Sequence, residues 1–309
     1  MLPHEESRVY FYGGARSPTM HERMGYVNCV PFSPEGIAKW VRPTGSWNLA
    51  ELFYGGQYHD SEADNLLPSR FEYFKSRETR HIFDIEGDWR GREIPQWLRP
   101  ATLTAMNVLP EHKDWHVMAR PPSSRLLVSL ARGPGIDFSL PKERCFYFAG
   151  QRDSRGIRQR MADAVTLANV PADVSFNEFW GARLDPDHPA VRGYSAGLER
   201  LAFALCPAGE GQATMRMYEA CAYGRVPILI SDCLWMWEDF VDTSFCLRIS
   251  PDSPLELMAE ELAWIYLISD SELADRCRLA WEYFQNVVRN YFEDPMREFL
   301  TWAHWRAGL

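Results

Sequence analysis

Short apolar runs alternate with segments of helical period through the second half of the chain. CFYFAG (145–150) and the apolar stretch ending at Pro207 read as strands, as does the run around VPILI. Between them, SRGIRQRMADAVTLA (154–168) spaces its apolar residues as a helix does, with Ser154 as a plausible N-cap. VSFNEFWG fits a strand or an extended loop, and YSAGLERLAFALCP a helix running into a strand. SPLELMAEELAWIYLI (253–268) and SELADRCRLAWEYFQNVVRNYF (271–292) are long helical patterns, followed by an amphipathic piece from 294 to about 306. The first half carries shorter apolar runs between turn-rich loops: RVYFYGG (8–14), ELFYGG (51–56), HIFDIEG (81–87), HVMARPP (116–122) and SRLLVSLA (124–131). RGPGIDFSLPKER (132–144) has no period and reads as a linker. Strands alternating with helices predict parallel sheets covered on both faces. The expected architecture is α/β: two Rossmann-like domains facing each other across a cleft. Their expected bounds are 1–135 and 136–293, with a last helix at 294–309 packing back on the first domain.

A chain of 309 residues lies near the size at which one core gives way to two domains. The net charge of -9 argues against nucleic acid as a partner, because no basic excess is available to meet a phosphate backbone. The seven cysteines, at 29, 145, 206, 221, 233, 246 and 277, form no C-x-x-C pair and predict buried free thiols in a reducing compartment. No apolar run approaches eighteen residues, the N-terminal stretch lacks a signal-peptide pattern, and N-x-S/T is absent. The expectation is a cytoplasmic protein without a membrane span.

Candidate chemistry concentrates in CPAGEGQATMRMYEACAYGRVPILISD, from Cys206 to Asp232. Loops after the strands of a parallel sheet are where ligands collect. Here Gly209 and Gly211 allow close backbone approach, and a helix opens near Thr214 with free N–H groups that favour an anion. Arg216 adds a bidentate clamp for phosphate oxygens. Glu219 follows on the same helical face, where a carboxylate suits ribose hydroxyls. Spacing alone leaves a second reading open, in which the glycines only turn the chain and Arg216 and Glu219 form a surface pair. The pattern is neither G-x-G-x-x-G nor a P-loop, which counts against a phosphotransferase. QRDSRGIRQR places Arg152, Arg155, Arg158 and Arg160 directly after the CFYFAG strand. If that strand neighbours the one ending at Cys206, Arg152 and Arg158 join Arg216 around a diphosphate; otherwise they form a solvated basic face.

These two segments resemble the exostosin family of glycosyltransferases. FYFAGQRDSRGIRQRM is similar to the family's strand with Phe-x-Gly-x-Arg. YSAGLERLAFALCPAGEGQATMRMYEACAYGRVPILISD is similar to its Tyr, Phe-x-Leu-Cys-Pro-x-Gly, Arg, Glu-Ala, Gly and Val-Pro-Ile series. In the first half RHIFDIEGDWR (80–90) resembles the family's Asp-His-aromatic segment, with Thr79 where an acidic residue is common. The resemblance implies a fold of the kind called GT-B and an inverting transfer of a sugar from a nucleoside diphosphate, commonly uridine-linked, to a hydroxyl-bearing acceptor. It places Arg152, Arg158 and Arg216 at the donor diphosphate with Gly209 allowing close approach, and Glu219 and Pro227 at the nucleoside; the reading of the loop and helix start adds Gly211 and Thr214 to the diphosphate site.

Such a transfer needs a base for the acceptor hydroxyl and positive charge for the departing diphosphate. The arginines and helix amides supply the charge, so no metal requirement is expected. Asp88 and His81 are the candidate bases; Asp84 lies inside the same strand, and His59 with Asp60 is a further possibility. Asp185-Pro186-Asp187-His188 contains an Asp-x-Asp, but its proline and loop setting suit a solvated acidic turn better than a metal site. Tryptophans 40, 47, 89, 97 and 115 read as structural anchors for irregular loops, with a sugar-stacking platform as the other reading. The alternative function is a non-catalytic nucleotide-sugar-binding or scaffold protein, separated from a transferase by whether nucleoside diphosphate is released when acceptor is present.

Overall fold

The computed structural model describes residues 9–12, 47–53, 80–86, 102–105, 108–112, 117–122, 124–153, 155–178, 184–209, 211–294, 298 and 301–302. The chain divides into two compact units. The first comprises Met1–Arg120, Leu234–Met236 and Asp294–Leu309; the second comprises Pro121–Cys233 and Trp237–Glu293. Each is built on a five-stranded sheet, and the pairings within both sheets are parallel.

In the first unit β1 (Val9–Tyr12), β2 (Trp47–Phe53), β3 (Arg80–Glu86), β4 (Thr102–Ala105) and β5 (Val117–Ala119) lie side by side in chain order. The runs expected at 8–14 and 116–122 contain β1 and β5, that at 81–87 covers all of β3 but its first residue, and that at 51–56 covers only the last three residues of β2. A lone antiparallel bridge joins Val108 to Leu234, whose N–H donates to the Val108 carbonyl at 2.6 Å.

The second unit opens with helix α1 (Arg125–Arg132). The expected boundary at 135 puts this segment in the first domain, but the structure puts it in the second. Ser124 caps it, its Oγ accepting from Leu127 N at 2.9 Å. The loop after α1 is fastened along the second unit. Gly133 O accepts from Arg289 Nη2 at 2.9 Å, Ile136 O from Trp281 Nε1 at 2.8 Å, and Ser139 O from Arg225 Nη1 at 2.8 Å.

The elements that follow are β6 (Glu143–Gln151), α2 (Ile157–Ala168), β7 (Ala172–Asn177), α3 (Pro189–Arg200), β8 (Leu201–Pro207), α4 (Met215–Ala222), β9 (Val226–Ile230), β10 (Leu247–Ile249), α5 (Leu255–Tyr266) and α6 (Asp270–Tyr283). A π-helical turn, Phe284–Val288, joins α6 to α7 (Arg289–Glu293). The sheet order is β10-β9-β8-β6-β7. Every residue of β8 and β9 is buried, which explains their unbroken apolar sequences: a central strand covered on both faces has no polar side to alternate with. Phe146, Phe148, Met161, Phe203, Ile228, Met258 and Leu262 form the heart of the core. Cys206, Cys221 and Cys277 are buried without disulfides, and burial raises all three thiols, Cys277 to about 11. No helix among the described residues is long and apolar enough to cross a membrane.

Candidate functional site

In chain order the second unit's strands are arranged 2-1-3-4-5, so the direction of winding reverses between the first, β6, and the third, β8. At such a reversal the two following loops diverge and leave a crevice at the carboxyl ends of the strands. The loops in question are 152–156 and 208–214, the same two that carry the arginines and glycines singled out in the sequence.

The loop after β6 is folded by Asp153, whose carboxylate accepts from Ile157 N and Arg158 N, each at 3.0 Å. It thereby does the capping work expected of Ser154; the N-cap position itself is Gly156, in the left-handed region at φ 73°. The loop after β8 is held from below. Ser231 Oγ donates to Gln212 O at 2.7 Å, and Arg248 Nη1 donates to the Ser231 and Cys233 carbonyls at 2.8 and 3.0 Å. Gly209 N donates to Gly211 O at 3.0 Å, which tightens the bend before α4.

Arg158 and Arg216 cross over between these loops. Arg158, on α2, lies against Gly209, so closely that a Cβ there would overlap its Nη2. Arg216, on α4, lies in the same way against Gly150 at the end of β6, and its Nη2 donates to Ala149 O at 3.2 Å. Both guanidinium groups sit over the Phe148 ring, 5.9 Å and 4.9 Å from its centroid. Arg158 Nη1 donates to Gln151 O at 2.6 Å. With the Gln212 amide turned to accept, Arg155 adds a bidentate bridge to it at 3.0 and 3.1 Å. Thr214 is the N-cap of α4, yet its hydroxyl makes no capping bond and, at 7% exposure, has no protein partner. Arg216 Nε is likewise buried without a protein acceptor. Two arginines, a helix N-terminus and an unsatisfied hydroxyl therefore converge on one crevice, a constellation suited to a phosphate group.

The remaining candidates fall elsewhere. Arg152 is exposed and faces the β7 side, with its guanidinium 4.3 Å from the Phe176 centroid and a hydrogen bond to Gln159. Arg160 anchors α2 to the turn before α5 through the carbonyls of Pro251 and Ser253. Pro227 is a buried strand residue near the amino end of β9, paired with Ala204, and so lies away from the carboxyl-end loops. Glu219 is 4% exposed. Its Oε1 accepts from Ser124 Oγ at 2.7 Å and its Oε2 from the Tyr194 hydroxyl at 3.0 Å. Burial raises its pKa, opposed by Ser124, Arg216 and Tyr194. Neither hydroxyl was singled out as a functional group in the sequence. The serine before an apolar run signals its cap, but nothing local signals a partner 95 residues away.

His81 and Asp84 lie in β3, paired with Asn48 and Glu51 of β2. Asp88, His59 and Asp60 lie outside the described residues. Asp185 and Asp187 form an exposed turn, Asp187 N donating to Asp185 Oδ1 at 3.0 Å. Among the described residues no group of three or more His, Cys, Asp or Glu side chains is placed to hold a metal ion.

Residues 144–280 match the family described as the RXYLT1 C-terminal domain, a distant homology that spans the crevice and the strands around it. A rice protein (Oryza sativa subsp. japonica) named probable glucuronosyltransferase GUT1 is 25% identical over 142 residues, 46% of this chain. The aligned stretch covers only 30% of that relative's length. Among solved structures, the N-terminal domain of Candida albicans trehalose-6-phosphate phosphatase aligns with a TM-score of 0.49 at 10% identity, over 87% of this chain and 72% of that one. A GtfA/B complex aligns with a TM-score of 0.46 at 10% identity, over 85% and 57%.

The crossed arginines make a specific expectation. Replacing Gly150 with alanine puts a methyl group where the Arg216 guanidinium lies. That guanidinium is the far end of a flexible side chain, so it swings aside at little cost to folding. Gly150→Ala is expected to weaken binding of a nucleoside diphosphate by about tenfold or more, the loss of a charge-assisted contact. Its melting temperature without ligand should stay within a few degrees of the parent. Calorimetric titration and thermal denaturation of the same preparation check both halves; a large drop in melting temperature with affinity intact would contradict the crossed arrangement.

Proposed function

We propose that the protein is an inverting glycosyltransferase of the exostosin type, with a GT-B fold, that uses a nucleoside diphosphate sugar, preferably uridine-linked. The observation that carries this reading is the crevice at the β6–β8 reversal, where Arg158, Arg216, Thr214 and the start of α4 meet across glycine backbone. The match of residues 144–280 and the glucuronosyltransferase name of the rice relative support the same class.

In this reading the donor diphosphate lies against Arg158, Arg216 and the α4 N-terminus, and Glu219 faces the ribose. The acceptor hydroxyl oxygen forms a bond to the anomeric carbon as the bond from that carbon to the β-phosphate oxygen breaks. The electron pair of the broken bond leaves with the diphosphate, where the two guanidinium groups and helix amides meet the charge. The acceptor proton passes to a base, for which His81 and Asp88 are the candidates. Attack opposite the leaving group inverts the anomeric configuration.

A panel of nucleotide sugars screened by ligand-induced thermal shift, followed by assay for nucleoside diphosphate release with sugar and glycan acceptors, tests the reading. Stabilisation by one donor and acceptor-dependent release are expected. Stabilisation without release for any acceptor would favour a binding protein. No stabilisation by any nucleotide would remove the proposal.

A further inference from the structure

Glu219, one turn along α4 from Arg216, does not stand alone. Its carboxylate is gripped on both oxygens by hydroxyl donors from two other elements: Ser124, which also caps α1, and Tyr194 on α3. Tyr194 is itself fixed by a chain of contacts. Gly197 has no Cβ, and a Cβ there would overlap the Tyr147 ring. Tyr147 therefore packs directly on α3, and Tyr194 stacks on it, ring centroids 5.8 Å apart and planes 25° from parallel. Burial and the neighbouring carboxylate keep the Tyr194 phenol well above its ordinary range, so it stays protonated and donates.

An ionised carboxylate has about four lone-pair sites, two on each oxygen. Ser124 takes one on Oε1 and Tyr194 one on Oε2, which leaves a single acceptor site on each oxygen in a fixed orientation. Two neighbouring acceptors fixed in this way complement two neighbouring O–H donors, which is the pattern of a cis-diol. We propose that Ser124 and Tyr194 are positioning residues that aim Glu219 at the 2′- and 3′-hydroxyls of a ribonucleotide and thereby make the site discriminate ribose from deoxyribose. This rests on the nucleotide-sugar reading above. Nearly complete burial of the carboxylate strengthens the argument, because hydrogen bonds in a low-dielectric setting depend steeply on whether every group is met.

The test compares UDP, 2′-deoxy-UDP and inorganic pyrophosphate by calorimetric titration on parent protein, Tyr194→Phe, Ser124→Ala and Ser124→Thr. Tyr194→Phe keeps the aromatic ring and the α1 cap, so it removes only the hydroxyl. It is expected to weaken UDP by about five- to tenfold, the worth of one hydrogen bond to a charged group. 2′-Deoxy-UDP should change much less and pyrophosphate not at all, so the preference for UDP over its deoxy form shrinks. Ser124→Ala should act in the same direction with some loss of stability from the lost cap, and Ser124→Thr should restore both. Variants that keep the parent's ribose preference, or that weaken all three ligands equally, overturn the positioning role while leaving the nucleotide site standing. Parent protein that binds neither UDP nor pyrophosphate overturns the nucleotide reading and this proposal with it.

Discussion

Arg216→Ala is expected to abolish the thermal shift that a nucleoside diphosphate gives the parent protein, with an affinity loss of about a hundredfold or more. The reasoning starts from the crevice. Arg216 lies in the first turn of α4, donates to Ala149 O across the β6–β8 reversal, and keeps its Nε without a protein acceptor. A phosphate there gains up to two charge-assisted hydrogen bonds, each worth about 1.5–3 kcal/mol. It also gains a field already made favourable by the helix N-terminus. Alanine removes both bonds and leaves Arg158 as the other guanidinium against the glycine loops. Lysine is a poor substitute, because a point charge cannot make the forked contact. Folding should change little, since the side chain is half-buried and its hydrogen bond is a single one at 3.2 Å to the Ala149 carbonyl. Calorimetric titration of UDP, with thermal denaturation of the free protein as control, reads the effect. Undiminished UDP affinity in a folded Arg216→Ala protein would remove the diphosphate from this crevice.

The sequence makes the floor of this site easier to read than its walls. β6, β8 and β9 announce themselves because strands buried on both faces need long apolar runs, and α2, α5 and α6 because one-sided burial imposes the helical period. Arg158 and Arg216 were legible for a related reason: the topology of a parallel sheet sends the loops after successive strands to one edge, so residues directly after those strands are drawn together. Arg152 follows β6 just as closely but lies beside Phe176 on the edge strand, and sequence position cannot separate two sides of one strand end. α1 is the clearest failure of local signal. LLVSLA after Pro121-Pro122 is short enough to suit either a strand or a helix, and the cap bond to Leu127 decides for the helix. Tyr194 and Glu219 both fall in the stretch whose residue series stood out, but Ser124 lies 95 residues from Glu219 and no period or motif links it to them.

Arg225→Ala is expected to lower stability by about 3 kcal/mol or more, although Arg225 touches no candidate ligand group. The residue is 1% exposed and begins β9's approach at the Gly224 turn. Its Nε donates to Leu198 O at 2.6 Å, Nη2 to Glu199 O at 3.1 Å, and Nη1 to Ser139 O at 2.8 Å. Leu198 and Glu199 stand in the last turn of α3, where carbonyls have no partner within the helix. The guanidinium satisfies them and at the same time ties down the loop between α1 and β6. Alanine would leave these carbonyls without their buried donor and would open a cavity besides. For a domain of 150–250 residues, such a loss corresponds to a fall of roughly 6–12 °C in melting temperature. Arg225→Lys should recover only part of it, because an ammonium on a single stem cannot reach acceptors on both α3 and the loop. A melting temperature within about 2 °C of the parent for Arg225→Ala would show that the loop and the end of α3 find other partners. The expected loss also reaches the site, because loosening α3 loosens Tyr194 and with it the orientation of Glu219.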